Sequence, residues 1–276
     1  MMKEEKVRKM VREGYGKIAK QQQGNCGCGC GSATNVSEQV GYSKEELTSV
    51  PQGADLNLGC GNPVALASLK PGETLIDLGS GGGLDCFIAA KKVGEKGKVI
   101  GVDMTPEMLD RARENLRKGK YTNVEFRLGE IENLPVADNT ADIIISNCVI
   151  NLSPNKQRVF NEAYRVLKPN GRLMISDMVL LKTIPEAILK NISAYIGCIS
   201  GAEKKSVYVN LIKQAGFKNV QIIEETKMPI EALISEETAT QILKDLKITR
   251  KEAAETFGAA VSIKVSATKP QSIIVI

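Results

Sequence analysis

The sequence predicts an α/β protein on a doubly wound, Rossmann-like sheet that is mostly parallel and ends in an antiparallel edge pair. Three observations carry this. Short apolar runs alternate with helical patterns from about residue 74 to residue 180. The first run ends in Gly79-Ser80-Gly81-Gly82-Gly83, which leads straight into a helix. Beyond residue 180 the alternation stops, and two strand-like runs bracket a helical stretch.

The elements follow in order. Val7, Met10, Val11, Tyr15 and Ile18 recur at helical spacing, so residues 3–20 predict an amphipathic helix with a solvated basic face. The Gly/Cys/Ser-rich stretch from Gly24 to Ser32 suits no regular element. Ser43 opens a short helix with Glu46 in capping-box position. Asn57 to Pro63, NLGCGNP, is a second glycine-rich loop. Strands are expected at 74–80, 98–104, 123–128, 141–147 and 171–180. Helices are expected at 84–93, from Pro106 to about Lys118 with Thr105 as cap, and from near Ser153-Pro154. Residues 185–195, 204–215 and 229–256 look helical. Residues 220–226 and 259–269 look like the late strands, the latter with one wet face. We read one decorated domain: an extension at 1–57, a core at 58–181 and a C-terminal part at 182–276.

Composition narrows the function. Of 276 residues, 42% are hydrophobic and 25% charged, which suits a packed core. The net charge of +5 is spread among interspersed Lys and Glu, without the basic stripe of a nucleic-acid binder. Trp is absent and aromatics are 4%, which leaves little for base stacking. Histidine is absent, which excludes His bases, His-activated nucleophiles and His metal ligands. No run of about 18 apolar residues is present, so no membrane helix is expected. The charged N-terminus lacks the apolar core of a secretory signal. The expected location is the cytoplasm, where thiols stay reduced. The seven cysteines, spread along the chain, then read as reactive or ligating thiols rather than staples. No exposed apolar heptad stands out, and a monomer is expected.

The glycine loop sits between a strand and a helix, where bare backbone and unpaired N–H groups can approach a ligand. Asp103 ends the next strand, where a carboxylate can take both hydroxyls of a ribose. A dinucleotide fingerprint fails here, because its third anchor falls on Leu84. A glycine turn without ligand is the weakest reading. With Asp77 included, D-x-G-x-G-x-G resembles motif I of class I S-adenosylmethionine (SAM) methyltransferases. Asp77 suits the cationic methionyl end of that cofactor. The resemblance extends to Glu130-Ile131 as the acidic and apolar pair beside the adenine, to Asn147 near the methyl-transfer point, and to LKPNGRLMISD at 167–177. It implies a cofactor site of Asp77, Gly79, Ser80, Gly81, Gly83, Asp103, Met104, Glu130, Ile131 and Asn147.

Cys60, Cys148 and Cys198 each lie in a loop-like segment, NLGCGNP, SNCVINL and YIGCISGA. The second follows the fourth core strand at the carboxyl edge, where doubly wound folds bind ligands. Three thiolates without His and without Cys-x-x-Cys spacing suit a soft, trigonal element such as arsenic(III) better than zinc. These segments, with GYSKEEL at 41–47 and the glycine motif, resemble the arsenite methyltransferase family over roughly 36–200. That resemblance implies arsenic binding by Cys60, Cys148 and Cys198, successive methylations, and recycling by a thiol reductant, glutathione or thioredoxin. The substrate would be arsenite or its thiol conjugate, with no nucleic acid or membrane as partner. An arsenic lone pair can attack the sulfonium methyl without losing a proton, so no general base is needed. Cys86, on a helix beside Phe87 and Ile88, reads as structural. Cys26, Cys28 and Cys30 are further arsenic candidates: they could capture it, pass it inward or pair with Cys60, or form a metal-scavenging tail. Tyr42 and Tyr195 line the arsenic pocket or pack in the core. The alternative function is methylation of a small organic acceptor of quinone or sterol type, which leaves the cysteines unexplained. A non-catalytic thiol sensor is the third, opposed by the intact cofactor motif.

Overall fold

A computed structural model describes residues 4–21, 36–184, 201–227 and 258–271. The helices expected at 185–195 and 229–256 lie outside these residues. The described elements are α1 (Glu4–Gln21), α2 (Val36–Gln39), α3 (Lys44–Thr48), α4 (Pro63–Leu66), β1 (Thr74–Leu78), α5 (Leu84–Val93), β2 (Lys98–Asp103), α6 (Pro106–Gly119), β3 (Val124–Leu128), β4 (Ala141–Asn147), α7 (Lys156–Val166), β5 (Leu167–Leu180), α8 (Lys205–Gln214), β6 (Lys218–Lys227) and β7 (Ala260–Thr268).

The strands form one seven-stranded sheet in the order β3-β2-β1-β4-β5-β7-β6. The first five run parallel, and β7 pairs antiparallel with both β5 and β6. The expected edge pair is therefore present, with β7 inside and β6 at the rim. Chain direction across the sheet reverses between β1 and β4. That opens a crevice at their carboxyl ends, where doubly wound folds bind ligands.

Burial follows from strand periodicity. Ile76 and Ile144 point to one face, Leu75, Ile143 and Ile145 to the other, and all are buried. The first face meets Val159, Phe160 and Ala163 of α7 and Tyr208 and Ile212 of α8. The second meets Phe87, Ala89 and Ala90 of α5 and Leu109 and Ala112 of α6. Cover on both faces explains why these strands are apolar runs rather than alternating ones. Helix α1 lays its apolar stripe beside α6: Ala19 packs with Leu56 and Met108, Arg111 Nη1 donates to the Ala19 carbonyl at 3.1 Å, and Lys20 pairs with Glu107 at 2.9 Å. Among the described residues no helix is long and apolar enough to cross a membrane.

Several boundaries shift by two residues or more, and two of the shifts have a visible physical cause. The helix expected from Ser153-Pro154 begins at Lys156, after a 3-10 turn at Ile150–Leu152, because Asn155 supplies the cap and accepts the Arg158 N–H at 3.1 Å. Strand β5 begins at Leu167 rather than 171. Ala141 pairs with Leu167 but Ile143 pairs with Arg172, so five steps on β5 oppose two on β4. The excess bulges out through Lys168-Pro169-Asn170-Gly171, with Asn170 at φ +65°.

Helix α8 is pinned to β5 by a buried pair. Tyr208 Oη donates to Asp177 Oδ2 at 2.9 Å, and the Met178 N–H donates to Oδ1 at 2.9 Å. Burial nevertheless pushes the Asp177 carboxyl up to about 7. Its folded value lies above the unfolded one of about 3.9, so its ionisation opposes folding. The stability that the protonated carboxyl contributes is fully present below about pH 4 and is lost as pH rises through about 7. We expect Asp177→Asn to abolish that slope. In denaturant titrations across this range, wild type should lose up to about 4 kcal/mol relative to the variant; parallel pH profiles would show that Asp177 does not carry it.

Candidate cofactor and thiol site

A cavity of about 1070 Å³, including its open mouth, lies at the carboxyl ends of β1, β2 and β4. Its wall contains Asp77, Gly79, Ser80, Gly81, Asp103, Met104, Ile131, Asn147 and Cys148 of the expected site. Gly79 has φ +70°, and a Cβ there would overlap Val149, so the turn demands glycine. Asp103 is oriented by backbone: the Gly81 N–H donates to Oδ2 at 3.0 Å and the Thr105 N–H to Oδ1 at 2.8 Å. Ser80 Oγ is buried in this wall with no hydrogen-bond partner among the described residues.

The cavity floor is acidic. Burial and the nearby Asp85 carboxylate push Asp77 well above the ordinary carboxylate range. Cys86 is fully buried, as a structural cysteine should be, and its thiol donates to Asp77 Oδ2 at 3.3 Å. Burial also raises Asp103, against the backbone N–H groups that favour its charged form. This buried carboxylate lining, with an unsatisfied hydroxyl beside it, suits a cationic ligand that carries donors. SAM, with a cationic methionyl end and ribose hydroxyls, is a ligand of that kind.

The two described thiol segments meet at the end of β4. Cys60 and Cys148, 88 residues apart, are joined as a disulfide with Cα atoms 5.9 Å apart. Cys148 adopts φ +58°, and its N–H donates to the Ser176 carbonyl at 2.8 Å. Ser262 Oγ on β7 donates to the Cys60 carbonyl at 2.9 Å. Cys148 lies in the cavity wall, with Cys60 bonded behind it. Asn147 holds the pair together: its Oδ1 accepts the Cys60 N–H at 3.0 Å, and its Nδ2 donates to the Gly61 carbonyl at 2.8 Å. Cys198, Cys26, Cys28, Cys30 and Tyr195 lie outside the described residues.

Two expected cofactor residues stand elsewhere. Glu130 turns outward to Arg8 at 3.3 Å and Arg12 at 3.5 Å, while Glu132 takes the place in the cavity wall. Glu132 is buried, accepts Ser153 Oγ at 2.7 Å and faces Arg8 at 3.4 Å. Gly83 instead forms the N-cap of α5 at φ +95°, against Phe87 and Phe126. The α1 residues Arg8, Val11 and Tyr15 also line the cavity and escaped sequence reading. The helical stripe was visible there, but not the surface it covers. Tyr42 lines the cavity as well.

Residues 69–222 match a family described as a methyltransferase domain. The chain is 49% identical to an arsenite methyltransferase of Halobacterium salinarum, over 79% of this chain and 59% of the relative. It is 35% identical to an arsenite methyltransferase of Aquipseudomonas alcaligenes, over 80% of this chain and 64% of the relative. The chain thus spans roughly three fifths of the length of these curated relatives. The crystal structure of an arsenic(III) S-adenosylmethionine methyltransferase from Chlamydomonas reinhardtii superposes with a TM-score of 0.62 at 31% identity, covering 89% of this chain and 76% of that one.

A Cβ on Gly61 would overlap Ser176 Oγ, so Gly61→Ala must push the Cys60 loop off the sheet. We expect a stability loss of about 1–3 kcal/mol and a Cys60–Cys148 disulfide that forms roughly tenfold less readily. Thiol titration across a glutathione redox series reads this; wild-type pairing would mean that the close approach is dispensable.

Proposed function

The chain belongs to the arsenite methyltransferase family of class I SAM-dependent methyltransferases, and on that premise we propose that it methylates thiol-bound arsenic(III). The reading makes it an arsenic-detoxifying enzyme of the cytoplasm that acts as a monomer on arsenite or its thiol conjugate. The observation that carries it is the Cys60 and Cys148 pair at the wall of a cavity lined by the glycine loop, Asp77 and Asp103. An organic acceptor of quinone or sterol type leaves that pair without a purpose.

In this reading Cys60 and Cys148 hold arsenic as thiolates, with Cys198 as the third ligand that the family resemblance implies. Cys26, Cys28 and Cys30 remain candidates for capture or redox. A disulfide cannot bind arsenic. The pair must first take two electrons and two protons from two thiols, of glutathione or of a thioredoxin, which leave as a disulfide. SAM, when bound, supplies an electrophilic methyl group. The arsenic lone pair forms the As–C bond as the C–S bond breaks, and the breaking pair passes to sulfur. Arsenic rises two oxidation levels, and two further thiols return it to arsenic(III) while oxidising to a disulfide.

No proton leaves the acceptor, which suits a chain without histidine. The protein's task is placement: holding acceptor and donor in near-attack geometry can supply about 7–11 kcal/mol. Asp103, its orientation set by Gly81 and Thr105, would take the ribose hydroxyls. Ser80, Met104 and Ile131 would line the adenosine.

Incubation of the reduced protein with arsenite, SAM and glutathione should yield methylarsenicals. Cys148→Ser should cut the rate at least 100-fold, because a hydroxyl is a poor ligand for a soft element. Methylation that survives in the variant would remove Cys148 from the site. Absence of methylarsenicals from a wild-type protein that binds SAM would move the search to organic acceptors. Asp103→Ala should raise the SAM Kd about 10–100-fold, the worth of a charged hydrogen bond of about 1.5–3 kcal/mol, as read by calorimetry.

A further inference from the structure

Asp85 has no part in the mechanism above, yet it is 7% exposed and lines the cavity beside Asp77. It sits in the first turn of α5, directly behind the glycine loop. Tyr42 Oη donates to Asp85 Oδ1 at 2.7 Å, and Asn147 Nδ2 lies 3.2 Å from Oδ2. The tyrosine's one hydrogen is thereby used, so its oxygen accepts from Asn147 Nδ2 at 2.9 Å. The orientation of the amide is dictated by its other partners. Its oxygen faces the Cys60 N–H and its nitrogen the Gly61 carbonyl; a flipped amide would set oxygen against oxygen. Gly59 leaves room for it, since a Cβ there would stand 2.7 Å from Nδ2.

Asp77 has the Asp85 and Asp103 carboxylates as charged neighbours, and Asp85 has Glu46 and Asp55. Neither forms an ion pair among the described residues, since Arg8 in the same wall pairs with Glu130 and Glu132, and two such buried carboxylates present a place for a cation. The unpartnered Ser80 Oγ, 7% exposed in the same wall, is an independent mark of a ligand there.

We propose that Asp85 is a second carboxylate for the cofactor's cationic methionyl end, and that Tyr42 and Asn147 are positioning residues that tie it to the Cys60 and Cys148 seat. This rests on the function proposed above. Binding of the cation draws the Asp85 carboxylate toward the cavity. Tyr42 donates to that carboxylate and accepts from the Asn147 amide, which also holds the Cys60 N–H and the Gly61 carbonyl. Cofactor and metalloid then bind with a mutual preference, and the linkage is reciprocal. Asn147 is thus less a cofactor ligand than the joint between the two halves of the site.

The test uses the reduced full chain with two unreactive probes: sinefungin, a cofactor analogue that keeps a positive charge, and phenylarsenoxide, a trivalent arsenical that takes two thiolates. Calorimetry gives the Kd of each probe with and without the other. In wild type, sinefungin should tighten phenylarsenoxide binding about tenfold, and the reverse titration should give the same factor. Asp85→Asn should weaken sinefungin about tenfold. Tyr42→Phe, which deletes one hydroxyl, should reduce the coupling factor below about twofold, whatever it does to each separate affinity. A merely structural tyrosine would lower stability and leave the coupling factor unchanged, and that result would overturn the inference. So would wild-type probes that bind independently, with the proposed function left standing. Failure of wild type to bind either probe would overturn the function and this inference together.

Discussion

The carboxamide of Asn147 is the point on which the site depends. It ends β4, next to the position where the sheet changes direction, and it precedes Cys148 in the chain. From there it grips the loop that carries Cys60, 87 residues away. Neither cysteine segment has regular structure of its own to set its place. Cys60 lies on a glycine-rich loop, and Cys148 takes a left-handed backbone that non-glycine residues adopt at a cost. Both hang instead on fixed partners at the strand ends: Asn147, the Ser176 carbonyl and Ser262. Rigid strands in the core of a doubly covered sheet thus locate two loops that could not locate themselves.

A second constraint is electrostatic. Asp77, Asp85 and Asp103 are all raised by burial, and the arginine in the cavity wall, Arg8, pairs with Glu130 and Glu132 rather than with them. Backbone N–H groups hold Asp103, a thiol holds Asp77, and a tyrosine and an amide hold Asp85. These donors orient the carboxylates without neutralising them. A protein that only needed stability would place apolar groups here. One that binds a sulfonium and an ammonium has reason to keep the charge. The same chain carries no histidine, and Cys148 is the one cysteine in the described cavity wall, with Cys60 bonded to it.

Much of the frame was legible from local signals. Helix α5 begins and ends at 84 and 93 as its pattern predicted, and Ser43 and Glu46 make both hydrogen bonds of the capping box. The glycines at 79 and 81 and the carboxylates at 77 and 103 all reach the cavity, because the turn between a parallel strand and its helix leaves them nowhere else to go. Glu130 and Glu132 show where this legibility stops. They are two residues apart on an irregular turn, both acidic, and only packing against Arg8, Arg12 and Ser153 decides which faces in. Arg8, Val11 and Tyr15 likewise sat on a helical stripe whose counterpart, the cavity roof, has no mark in the residues of α1 itself.

The amino-acid sequence by itself determined the element types, their order and the turn chemistry. These depend on periods of 2 and 3.6 residues and on glycine, proline and capping side chains that act within a few positions. It also determined the donor inventory: thiols, carboxylates and no imidazole. Only the tertiary structure decided which of those groups meet. Cys60 finds Cys148 across 88 residues, and Tyr42 finds Asp85 across 43. Such encounters are set by the crossing of strand order between β1 and β4 and by packing on both sheet faces. No local pattern encodes them, because side chains far apart in the chain share a site only once the backbone between them has chosen its path.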